Sequence, residues 1–100
     1  MAITSKQITA ADWQETHKKA FSYTFDYSSA NVRLLRFEKG ADIPKHAHAH
    51  EALHIIVKGA IELDDGTHLQ GIGDYKCGGW EYRGRAVEDT LIVVIEPKTA

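Results

Sequence analysis

Four of the chain's six histidines fall inside one nine-residue run, His46-Ala-His48-Ala-His50-Glu51-Ala52-Leu53-His54. Imidazole titrates near neutral pH and, when neutral, donates a lone pair to transition metals, so this run marks a candidate centre for metal binding or proton transfer. If His46 and His48 share a strand, alternation puts both rings on one face, with Cα atoms about 7 Å apart. Two such rings can converge on one ion, and an ion held at roughly 2.1 Å needs a third and usually a fourth ligand. His50, Glu51 and His54 are the candidates in the same segment.

The elements that must position these rings read as all-β. From Asn31 onward, strand-like runs cover Val32 to Phe37, Leu53 to Lys58, Ala60 to Leu63 and Thr90 to Glu96. They are separated by turn signals at Lys39-Gly40, Lys58-Gly59, Asp64-Asp65-Gly66, Gly71-Ile72-Gly73-Asp74 and Gly78-Gly79. Turns about ten residues apart suit a sandwich or barrel rather than strands alternating with helices. Ahead of residue 30, Asp12-Trp13-Gln14-Glu15 reads as a capping box that opens a short helix, with Trp13, His17 and Ala20 on one face. Phe21 to Tyr27 alternates aromatic with polar residues, which suits a strand whose aromatic face packs on the barrel or on a second subunit. The expected organisation is an N-terminal segment over residues 1–30 and a barrel over 31–100.

The frame of the histidine run resembles the first motif of the cupins: Gly40, five residues, His46, one residue, His48, three residues, a ligand position, six residues and Gly59. Gly73-Asp74, then Arg83-Gly-Arg-Ala-Val-Glu88-Asp89-Thr90 and a closing apolar strand ending at Pro97, resembles the second half of small single-domain cupins, so the likeness covers roughly residues 30 to 97. It implies a jelly-roll barrel, a double-stranded β-helix, enclosing a divalent transition metal (iron, nickel, zinc or manganese) on a His, His, Gln or Glu, His set. The chain departs from that set twice. Ala52 stands where such cupins place Gln or Glu, and Tyr82 or Gly84, depending on the alignment, stands in place of the second-motif histidine.

His54 lies two residues beyond Ala52 and, on a shared strand, points to the same face. His46, His48 and His54 then form a three-histidine set with an open position, with His50 or Tyr82 as an alternative third ligand or a proton donor. Trp80 is a candidate for the pocket mouth, and Arg83 and Arg85 for binding a carboxylate through paired hydrogen bonds. The resemblance implies an acidic residue near the final strand, Asp89 or Glu88. Glu51 reads as a solvated carboxylate or an outer partner of a ligating ring, Asp74 as a turn residue, Cys77 as a small core residue, and His17 and His68 as surface residues.

The function these features point to is a metal-binding cupin acting as an isomerase or lyase on a small polar metabolite, sugar-acid-like or carboxylate. The alternatives are an iron-dependent oxygenase and a non-catalytic barrel that binds a small ligand or a partner. Twelve basic and fourteen acidic residues give a net charge of −2 with no long run of either sign, which argues against nucleic acid and membrane surfaces as partners. The first residues lack an apolar leader pattern, no stretch approaches a bilayer span, and a lone Cys77 cannot form an internal disulfide. Cytoplasm is the expected location, and the family likeness implies a homodimer.

Overall fold

In the computed structural model, which describes residues 2–47, 51–77 and 81–98, the chain is almost entirely strand. Ten strands follow in order: β1 (Gln14–His17), β2 (Ala20–Tyr27), β3 (Ala30–Phe37), β4 (Asp42–Ala47), β5 (Ala52–Lys58), β6 (Ala60–Leu63), β7 (His68–Gln70), β8 (Gly73–Cys77), β9 (Glu81–Ala86) and β10 (Thr90–Pro97). They form a six-stranded sheet in the order β1-β2-β3-β10-β5-β8 and a four-stranded sheet in the order β4-β9-β6-β7. Every pairing is antiparallel. One apolar core joins the sheets, with Phe37, Ile56, Ile92 and Val94 from the larger and Ile43, Ile61, Leu63, Tyr82 and Ala86 from the smaller. Among the described residues no ladder closes the two sheets into a continuous barrel, and no helix is long and apolar enough to cross a membrane.

The strand-like runs set between turn signals emerge as β3, β5, β6 and β10, and the alternating aromatic run as β2. The short N-terminal helix does not form. The Asp12 carboxylate instead accepts hydrogen bonds from the Thr9 backbone N–H at 2.8 Å and hydroxyl at 3.1 Å. Asp12 therefore closes a 3-10 turn over Ala10–Asp12 rather than opening a helix. The Thr9 N–H, assisted by Lys6, holds its carboxyl below the usual carboxylate range. Gln14–His17 then pairs with β2 across a reversal in which Lys19 takes φ 67°, so long-range pairing overrides the local helix signal.

The outward face of the six-stranded sheet is also apolar. One row of register partners runs Tyr23, Leu34, Val93, Ile55 and Asp74, and the next runs Phe25, Val32, Ile95, Leu53 and Lys76. A third row holds Phe21, Arg36, Leu91 and Lys58, and Arg36 lies over the Phe21 ring at 4.1 Å and the Trp13 ring at 5.1 Å.

The β5–β6 turn locks to the start of β10. Gly59 takes φ +95°, and a Cβ there would stand 2.4 Å from the Asp89 carbonyl oxygen. Beside it the buried Thr90 hydroxyl lies 3.1 Å from the Ala60 N–H, 3.2 Å from the Ala60 carbonyl and 2.8 Å from the Glu88 carbonyl. Thr90→Val leaves the Ala60 N–H without this acceptor, and a buried unmet group costs about 1–3 kcal/mol. The urea midpoint should fall accordingly with an unchanged slope, while Thr90→Ser keeps most of the stability. Equal midpoints for Thr90→Val and the native chain would show that the hydroxyl does not hold this junction.

Candidate functional site

The site is built on the inner face of β5. Ala52, His54 and Ile56 are buried while Leu53 and Ile55 between them are half-buried on the opposite face, the period-two pattern of a strand with one side on the core. The His54 ring is 1% exposed. Its Nδ1 lies 3.3 Å from the Ala52 carbonyl oxygen. A carbonyl only accepts, so Nδ1 is the donor in this contact. Ligating imidazoles are commonly oriented in this way, by a carbonyl on the nitrogen that does not bind. The β5–β8 register sets His54 opposite Tyr75, and the two rings stack with centroids 4.3 Å apart at 16°.

A cavity of about 280 Å³ opens beside this ring, lined from both sheets. Leu35, Phe37 and Ile43 supply apolar walls, and His54, Tyr75, Tyr82, His17, Ser22 and Arg33 supply polar groups. Such a mixture, mostly apolar with a few convergent polar atoms, is the usual composition of a small-molecule site. Tyr82 on β9 is 6% exposed. The β4–β9 ladder, irregular between Ile43 and His46, sets His46 opposite Tyr82. Of the two positions that align with the second-motif histidine, Tyr82 is the one at the cavity. A Cβ at Gly84 would meet the Glu62 carbonyl oxygen at 2.5 Å, so no side chain fits there without a backbone shift.

His48, His50 and Trp80, and the side chains of His46 and Cys77, lie outside the described residues. Among the described residues no group of three or more His, Cys, Asp or Glu side chains is placed to hold a metal ion. His54 thus fits a metal in donor type and burial, and its companions in the sequence motif are His46 and His48.

The structure does not bring Arg83 or Asp89 to this cavity. Arg83 and Arg85 project from the exposed face of β9, where Arg85 lies 3.9 Å from Glu62. Asp89 sits before β10 and accepts a hydrogen bond from the Lys39 N–H at 2.9 Å, beside a separate depression that Trp13 and Lys58 also line. Glu51, Glu88 and His68 are exposed. Asp74 lies within β8 rather than in the turn and is 3.6 Å from Lys76.

Three cavity residues carried no recognisable sequence signal. His17, read as a surface residue, lines the cavity and donates from Nε2 to the Asp42 carbonyl, tying β1 to β4. Arg33 lines it with Nη2 3.4 Å from Glu96 Oε1. Tyr75 is placed by pairing that no local pattern encodes.

No protein-family model and no curated protein matches the sequence. Solved structures match the fold. KdgF from Halomonas sp. aligns at TM-score 0.76 and 20% identity, covering 88% of this chain and 89% of that one. An RmlC-like cupin from Shewanella frigidimarina aligns at 0.76 and 13%, covering 96% and 93%. An acetylacetone dioxygenase from Acinetobacter johnsonii aligns at 0.77 and 12%, covering 97% and 75%. Two antiparallel sheets around a shared core, with these neighbours, give the chain the fold of a small cupin.

Proposed function

We propose that the protein is a metal-binding cupin that holds a divalent transition metal on His54 together with His46 and His48, and acts as an isomerase or lyase on a small carboxylate or sugar-acid-like metabolite. The observation that carries this reading is the buried His54 ring, its Nδ1 anchored on the Ala52 carbonyl at 3.3 Å beside a mostly apolar cavity that a few polar side chains line. Bound there, iron, nickel, zinc or manganese would polarise a carbonyl or hydroxyl oxygen of the metabolite. The chain supplies the rest. Arg33 offers donors that suit a carboxylate, and its present partner Glu96 is held only through a long contact of 3.4 Å. The Tyr82 hydroxyl is the proton donor at the cavity wall, with His50 as the alternative from the sequence. Tyr75 fixes the His54 ring plane, and Phe37 and Leu35 keep the cavity apolar around these groups.

The fold is shared with KdgF and with an acetylacetone dioxygenase, so enzymatic use of this fold has precedent, and a fold alone selects no chemistry. Ala52 and Tyr82, standing where small cupins place two further ligands, favour the rival reading of a barrel that binds a small ligand without turning it over. Cytoplasmic location and a dimeric assembly are part of the same proposal.

Elemental analysis of untagged protein purified without chelators tests the centre. Near-stoichiometric metal is expected in the native chain. His54→Ala and the double variant His46→Ala/His48→Ala should lose more affinity than the roughly 10–100-fold that removal of an outer-shell partner costs. Unchanged stoichiometry and affinity in His54→Ala would overturn the assignment. No metal in any variant, even after reconstitution, would turn the reading to the binding barrel.

Restoring the second-motif histidine separates the two aligned positions. Tyr82→His should fold and tighten metal retention, because a fourth imidazole enters the cavity wall. Gly84→His should lose several °C in Tm, since its Cβ meets the Glu62 backbone at 2.5 Å. The reverse ranking in Tm would mean that β9 is registered differently.

A further inference from the structure

We propose that the seam between β1 and β4 is the entrance to the cavity for small anions, with the His17 ring as its latch and Lys18 and Lys19 as the charges that draw the anion in. The proposal needs only the cavity, not the metal or the reaction. β1 is an edge strand of the larger sheet and β4 of the smaller, and among the described residues no ladder joins them. His17 spans the gap. Its Nε2 donates to the Asp42 carbonyl on β4, and its Nδ1 lies 3.3 Å from the Thr16 hydroxyl. The ring stands between two spaces. On one side it lines the cavity of about 280 Å³. On the other it lines, with Pro44, a surface depression that Lys18, Lys19 and Asp42 also border. His17 and Pro44 belong to both, so the wall between the depression and the cavity is one side chain thick at this point.

The same wall is built to open at low cost. β1 is four residues long, is exposed at Gln14, Glu15 and Thr16, and pairs with β2 irregularly between Glu15 and His17. It contributes no residue to the buried core. A short edge strand with no buried apolar side chain stands at the low end of local stability, where opening leaves the rest of the fold in place.

Charge selects what enters. Lys18 and Lys19 are exposed at the outer depression, and among the described residues neither is paired with a carboxylate. Lys19 Nζ lies 3.5 Å from the Lys39 carbonyl oxygen. Inside, Arg33 lines the cavity. Against these cations stand Asp42 at the mouth and Glu96, 3.4 Å from Arg33. The route therefore carries a local excess of positive charge on a chain whose net charge is −2. A cleft lined by an excess of one sign concentrates the opposite ion at its mouth, so this entrance favours a small carboxylate over a neutral molecule of the same size.

Alkylation of a single thiol in the cavity wall of the full chain tests this. Ser22 lines the cavity, so Ser22→Cys in a Cys77→Ser background reports entry of iodoacetate and of iodoacetamide, which are alike in size and differ in charge. His68→Cys in the same background, at an exposed position, gives the unhindered rate. His17→Ala should speed both reagents at position 22 by roughly 3–10-fold, the change in open population that one hydrogen bond controls, and leave position 68 unchanged. Lys18→Glu/Lys19→Glu, at two exposed positions that the fold does not need, should slow iodoacetate at position 22 on the order of 10-fold at low ionic strength. Iodoacetamide should be unaffected, and the difference should close at high salt. An unchanged rate in His17→Ala, or a thiol at position 22 that already reacts as fast as one at position 68, overturns the latch at this seam. Equal slowing of the two reagents in the lysine variant, or none, overturns the selection of anions.

Discussion

A neutral imidazole removed from water must have its polar atoms met inside the protein, because each buried group left unmet costs about 1–3 kcal/mol. His54 sits under this constraint at 1% exposure, and the architecture around it follows from meeting it. The Ala52 carbonyl, two residues back on the same strand, takes the Nδ1 hydrogen. The Tyr75 ring covers one face of the imidazole, which requires β8 to pair with β5 in the register that sets these residues opposite each other. The cavity beside the ring is walled by Tyr82 of the smaller sheet and by Arg33 and Leu35 of the larger.

Register is therefore the quantity the fold has to protect. A one-residue slip of β5 would turn His54 outward and bring Leu53 and Ile55 in. On most strands the hydrophobic pattern alone would forbid this, but β5 and β10 are apolar on both faces, so pattern gives little resistance. The junction at Gly59 and Thr90 supplies it. Gly59 at φ +95° packs without room for a Cβ against Asp89 and Thr90, and the Thr90 hydroxyl fastens to both backbone groups of Ala60. Leu91 pairs with Lys58 immediately beyond that junction, with the irregularity between Leu91 and Ile92 setting the rest of the ladder. A turn at one end of the strand thus decides which way an imidazole five residues away points.

What could be read from the sequence is what is encoded locally. β3, β5, β6 and β10 follow from apolar runs set between turn signals, and the inward direction of His54 follows from its two-residue offset from Ala52. The N-terminal helix expected from the sequence does not form because the Asp12 capping signal serves the turn before it, while pairing with β2 decides what comes after. Tyr75, His17 and Arg33 reach the cavity through strand pairing between distant segments, which no local spacing announces. Arg83 shows the converse. Its type suits a carboxylate, but its neighbour Tyr82 faces the core, so alternation turns Arg83 outward.

Position 54 is surrounded by Ile56, Ile92 and Val94, each 1% exposed. A leucine there would contribute about 1.5–3 kcal/mol of apolar burial and leave nothing polar to satisfy. A fold built only for stability has no physical reason to put an imidazole in its place, nor to line the same 280 Å³ cavity with Tyr82, His17 and Arg33 from three further strands. Where local choices run against the packing optimum and converge on one cavity, the departure supports the proposed site. Along the same strands the outward rows Leu34–Val93–Ile55 and Val32–Ile95–Leu53 run against the other local rule, that an outer sheet face is polar. The two departures lie on opposite sides of one sheet, so the register that holds the imidazole inward also fixes which apolar side chains are presented outward.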